Sequence, residues 1–221
     1  MQSLRIALVS AASTAAVALT VAAAPLAVAQ PANTVPLAFD CQAKPPVGSA
    51  QKFAMEAVVD ATAPATATKG QQVTGEISVR PIKVPAEQSG YKVEHVKNMV
   101  ISAQVPAGTE FVSATLSGGK GFGSAKPTVS TGTDKAGKPV VLVKIAGPIA
   151  GGATIELPKV ALVLKVTASS GTVEGRLSGS SYQDPTMTFT GRAKAGLFGV
   201  DVPAACFPKP NPVLTSTRIT G

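Results

Sequence analysis

Apolar residues recur at every second position through most of this chain, and after residue 29 no capped stretch repeats them with the 3.6-residue period of a helix. Along residues 72–80, Val73, Gly75, Ile77 and Val79 alternate with Thr74, Glu76, Ser78 and Arg80. Along 99–105, Met99, Ile101, Ala103 and Val105 alternate with Val100, Ser102 and Gln104. Val160, Leu162, Leu164 and Val166 oppose Ala161, Val163 and Lys165 in the same way. A strand with one face on a core and one in water produces this pattern, and antiparallel sheets are where such strands occur. Proline and glycine punctuate the runs. Pro106 has no amide hydrogen to give a ladder and Gly108 accepts turn dihedrals, so residues 106–108 form a corner before Phe111–Leu116 resume. Further runs at 53–61, 128–131, 140–145, 153–157, 172–178, 186–193 and 197–202 bring the expectation to about nine to eleven strands. The fold class is all-β, an antiparallel sandwich. The Gly-rich stretch 118–127 reads as a loop too loose to pack, and residues 207–221 as a Pro-rich, fraying tail.

Residues 1–29 stand outside that pattern. Arg5 precedes an Ala/Val/Leu-rich run, and Ala27-Val28-Ala29 is a small-x-small cleavage site, so a secretory signal peptide ends there and the mature chain begins at Gln30. Of 221 residues, 192 remain, enough for a single β domain over 30–206. No later stretch offers about eighteen uninterrupted apolar residues, so no helical membrane span is expected in the mature chain. Localisation follows: secreted, or held at the cell wall. Two cysteines remain, Cys41 and Cys206, and in an exported chain they read as a disulfide. Bridging requires α-carbons within about 7 Å, so the strands that carry them must be neighbours.

Residues 98–114, Asn-Met-Val-Ile-Ser-Ala-Gln-Val-Pro-Ala-Gly-Thr-Glu-Phe-Val-Ser-Ala, resemble the middle of a widespread bacterial cell-surface repeat with an immunoglobulin-like fold. Gly147-Pro148-Ile149-Ala150-Gly151-Gly152-Ala153-Thr154-Ile155 is similar to a later turn of that module, and residues 160–167 stand where it has a long strand. The likeness covers about residues 71–168, without the upstream Thr-Asn-x-Gly turn or a tandem copy. It implies an immunoglobulin-like sandwich, enlarged with extra strands, and a structural or adhesive role at the cell envelope.

Catalytic signatures are weak. Residues 132–139 match a phosphate-binding loop except that Pro139 stands where a hydroxyl would hold magnesium, and no helix follows; a hairpin turn explains them. His95 is the single histidine, which leaves a catalytic triad one base and a histidine-rich metal site no second ligand. Acidic residues are scattered without a calcium ladder. Glu76 or Glu94 beside a strand lysine is the acid a Lys–Asn cross-link would use. No enzyme activity, cofactor or metal is expected.

Charge points elsewhere. The formal net charge of +8 falls to +7 on loss of Arg5, with lysines spread over strands and loops. Positive potential favours anionic wall polymers or lipid headgroups, with Lys83, Lys92 and Lys97 as candidate contacts. Nucleic-acid binding fits poorly, because the chain has no Trp, two Tyr and an export signal. The expectation is a non-enzymatic structural or binding protein whose partner is a wall polymer, a lipid surface or another envelope protein. The alternative is a carrier with a lipid or small apolar ligand between its sheets.

Overall fold

A computed structural model describes residues 32–195 and 198–221. Residues 1–29, read above as a signal peptide, and Leu197, assigned above to the last strand, lie outside the described residues. The strands are β1 (Asn33–Ala43), β2 (Gln51–Thr62), β3 (Thr66–Thr68), β4 (Gln72–Val79), β5 (Ile82–Lys83), β6 (Glu87–Gln88), β7 (Tyr91–Gln104), β8 (Thr109–Ser117) and β9 (Thr128–Thr133). There follow β10 (Pro139–Ile145), β11 (Ile149–Ala150), β12 (Thr154–Ile155), β13 (Lys159–Val166), β14 (Gly171–Gly175), β15 (Met187–Ala195), β16 (Phe198–Pro208) and β17 (Thr215–Thr220). Among the described residues none is helical, and the all-β, mainly antiparallel reading holds.

One large sheet runs in the order β8-β13-β4-β2-β1-β16-β15-β7-β10-β9, with β6 and β11 added along β7. Its two end strands, β8 and β9, lie against each other, so the sheet curls into a nearly closed barrel. This path explains the Pro106–Gly108 corner. It does not join neighbours: β7 pairs with β10 and β15, whereas β8 pairs with β13 across the opening. Gly108 takes φ +79, and a β-carbon there would stand 2.9 Å from the β-carbon of Ala168.

The predicted inward rows are buried in part, with Ile77, Val79, Ile101, Ala103 and Val160 only half-covered. Val73 of β4, Met99 of β7 and Leu162, Leu164 and Val166 of β13 are all buried. One core group joins Leu37, Phe39, Met99, Ile145, Met187 and the cysteines inside the barrel. A second joins Val73, Val105, Leu164 and Val166 to Val173 and Ile219, which belong to a separate three-stranded sheet, β14-β17-β3. That sheet caps one end of the barrel.

Three expectations need correction. Residues 211–221 do not fray. Leu214 is 1% exposed, β17 pairs with β14, and its edge on β3 is a parallel pair, so the domain extends past residue 206 through β17. The pattern is short and its burial comes from partners distant in sequence, which a local period cannot report. The Gly-rich stretch 118–127 packs. Phe122 is buried in the first core group, and Gly119 has room for no side chain, its β-carbon position lying 2.5 Å from the Phe122 ring and 2.8 Å from the Glu156 carbonyl oxygen. Glycine there permits close approach rather than looseness. Finally, β7 buries Ser102 on its supposed wet face, under the segment between β14 and β15: the Ser102 hydroxyl is linked to the Ser178 hydroxyl and donates to the Thr186 carbonyl oxygen at 3.1 Å.

Candidate functional site

Cys41 and Cys206 are directly opposed in the β1–β16 pair, with α-carbons 4.1 Å apart, bonded and both 0% exposed. Since side chains alternate across a strand, the neighbours of these inward cysteines must face out. Gln42, Ala205, Pro203 and Asp201 therefore share the outer surface. The register sets Thr188 opposite Ala205, Thr190 opposite Pro203 and Lys97, and Arg192 opposite Asp201, which adds β15 and β7 to the same face.

A cleft of about 270 Å³ opens on this face, with Gln42, Lys44, Asn98, Tyr182, Thr188 and Pro203 among its walls. Two local departures from regular sheet shape it. Asn98 adopts φ +53, the left-handed region that Asn enters more readily than most residues, where β7 slips register against β15 between Thr188 and Thr190. Tyr182 comes from the segment before β15. Its ring is edge-on to Phe207 at 5.1 Å, and the Lys52 ammonium lies 5.9 Å from its centroid.

Beyond the cleft the face continues as a row of ion pairs. Lys97 Nζ is 2.7 Å from Asp201 Oδ2, and Arg192 reaches Asp201 Oδ1 at 3.3 Å and Glu94 Oε2 at 3.7 Å; Lys194 reaches Glu94 at 3.9 Å. The Lys97 ammonium, with Arg192 in support, holds the Asp201 carboxyl below its ordinary range. Amides, hydroxyls, one aromatic ring and the exposed Lys44 equip this surface to bind a polar, hydroxyl-bearing or anionic ligand.

Of the lysines singled out from sequence, Lys83 is exposed on the short β5–β12 pair and Lys92 is exposed at the start of β7, opposite Lys194. Lys97 is committed to Asp201. Lys83 sits on β5 and the other two sit five residues apart on β7, and the cleft gathers none of them. Its walls went unnoticed in the sequence because Gln42, Asn98 and Tyr182 lie far apart along the chain, and the strand order alone brings them together. His95 is half-buried in β7, opposite Ala150 and Arg192. Residues 132–139 make the β9–β10 hairpin turn, in which the Asp134 carboxylate accepts from the amides of Ala136 at 2.9 Å and Lys138 at 2.8 Å. Glu76 pairs with Lys159 at 3.0 Å on the surface. Among the described residues no three His, Cys, Asp or Glu side chains gather as metal ligands, and no helix is long and apolar enough to cross a membrane. A second open groove of about 490 Å³ lies along the capping sheet, walled by Ser170, Thr172, Ser216 and Arg218.

No protein-family model matches the chain, and no curated protein is significantly similar to it. Among solved structures, it is similar to a crystal structure of a protein from Corynebacterium diphtheriae described as membrane anchored, with a TM-score of 0.57 and 15% identity. The match covers 85% of this chain and 38% of that one, so this chain spans less than half of its neighbour's length. At that identity the likeness is one of fold alone.

Proposed function

We propose that this protein is an exported, non-enzymatic binding or structural module of the cell envelope. The observation that carries the reading is the Cys41–Cys206 bond, buried at directly opposed positions of β1 and β16. A strand pair built around a bond of this kind suits an oxidising compartment, where thiols of a folding chain are joined and kept joined. The sequence of residues 1–29 supports the same location. Kinship with immunoglobulin-like surface modules belongs to the proposal too; it rests on residues 98–114 and 147–155, which form the β7–β8 corner and the β10–β12 turns. The non-enzymatic part rests on the single histidine and the incomplete loop motif. The polar cleft under Tyr182 supports binding as the role.

Cell fractionation tests the reading. The expected result is recovery in the culture medium or the envelope fraction, with an amino terminus at Gln30. Recovery in the cytoplasm with the amino terminus uncut would overturn it. A wash in about 1 M salt separates the modes of retention, since exposed charges are screened there within about 3 Å: release points to an electrostatic partner.

A further inference from the structure

Among the described residues, the large apolar side chains left exposed are Val47, Tyr91, Val112, Phe198 and Val200. All but Val112 lie at one end of the barrel. Ala43 is opposite Ala204, so the turn after β1, which carries Val47, emerges at the end where β16 begins. β15 reaches that end at Ala195, opposite Phe198, and β7 starts there, with Lys92 opposite Lys194. Val47 is 87% exposed and Phe198 80%.

Alternation explains how these residues come to be bare. Phe198 and Val200 have the same parity along β16 as the buried Ala204 and Cys206. The core-facing row therefore runs on past the point where β1 stops pairing, and no other described strand flanks β16 on that side. Lysines lie behind this tip. Lys44 and Lys92 are exposed and have no ion-pair partner among the described residues, with the exposed Glu87 opposite Lys92 in the β6–β7 pair, and Lys194 reaches only Glu94, at 3.9 Å. Residues 42–52 and 191–200 contain no acidic residue in the sequence.

Apolar side chains at an apex, with lysines set behind them, match the layering of a bilayer surface. Phe and Val enter the boundary between headgroups and acyl chains, Tyr sits at headgroup depth, and lysines meet lipid phosphates. We propose that this end of the barrel docks on an anionic lipid surface, with Phe198, Val200 and Val47 inserted and Lys44, Lys92 and Lys194 on the headgroups. The export reading bears only on where the lipid is met; the docking is tested without cells, so either can fail alone.

The chain has no tryptophan, so Phe198→Trp makes a single reporter at the apex and Val112→Trp a control on the barrel wall. With the oxidised chain from residue 30 and phosphatidylcholine vesicles containing about 30 mol% phosphatidylglycerol, the F198W emission should shift to the blue and be quenched by brominated acyl chains. The V112W emission should not change. In co-sedimentation, Phe198→Asp and Val47→Asp should each weaken partition about tenfold, and Val112→Asp should leave it unchanged. Thermal melts of the free variants check that each is folded. Unchanged F198W emission overturns the proposal, as does equal loss from V112D. A concentration-dependent dimer that F198D disperses, without vesicle binding, also overturns it and assigns the tip to a second copy of the chain.

Discussion

Asp60 is held by two donors, the Thr34 hydroxyl at 2.5 Å and the Arg80 guanidinium at 3.3 Å. These hydrogen bonds keep its carboxyl below its ordinary value of 3.8, as Lys97 and Arg192 do for Asp201. A carboxyl with a depressed folded pKa binds its proton more readily when unfolded. Its stabilisation is therefore complete above about pH 4 and is lost as pH falls through the folded value. Both pairs are solvated, so the effect is small. Melting temperature should decline below about pH 4, and the double variant D60N/D201N should show a shallower decline. An identical pH profile in the variant would contradict these roles. Gly108 carries a larger local penalty. Gly108→Ala forces an L side chain to φ +79 and into the Ala168 methyl, and should cost about 1–3 kcal/mol in denaturant unfolding.

Elements differ in how openly the sequence declares them. β13 was legible, because it keeps strict alternation over eight residues and buries Leu162, Leu164 and Val166; β4 keeps the same alternation but buries Val73 alone, with Ile77 and Val79 only partly covered. The Pro106–Gly108 corner was legible as a break, yet its destination was not; which strand β8 joins depends on closing the whole ring. Phe122 was lost among the glycines at 118, 119, 121 and 123, whose role is to let backbone approach backbone. Phe122→Ala should cost about 3–5 kcal/mol, the loss typical of a buried aromatic, whereas a loose loop would register almost none. β17 was missed because six residues, all but Ile219 polar, give too weak a signal. Ending the chain after Val213 removes Leu214, Thr217 and Ile219 from buried positions and uncovers Val173. That truncation should lower the melting temperature by several degrees or leave the protein insoluble. A truncated chain that melts like the full one would restore the tail reading.

At the scale of the molecule, the barrel is a ring with one loose seam and one covalent clasp. The seam is where β8 meets β9; the clasp is Cys41–Cys206, between β1 and β16. Composition showed that such a clasp was available, and residues 1–29, read as an export signal, gave the reason to expect it. The closure of the ring and the polar cleft on its outer face were invisible in sequence, since both arise from strand order rather than from any local run. Cross-linking residues 165 apart restricts the unfolded chain, so Cys41→Ala with Cys206→Ala should reduce stability by about 2–5 kcal/mol. The most direct measurement is a peptide map of the protein taken from the envelope or medium, alkylated before any reductant is added. One linked peptide pair containing Cys41 and Cys206 is the predicted result. Both cysteines recovered as alkylated thiols would contradict the clasp, and the exported module proposed from it.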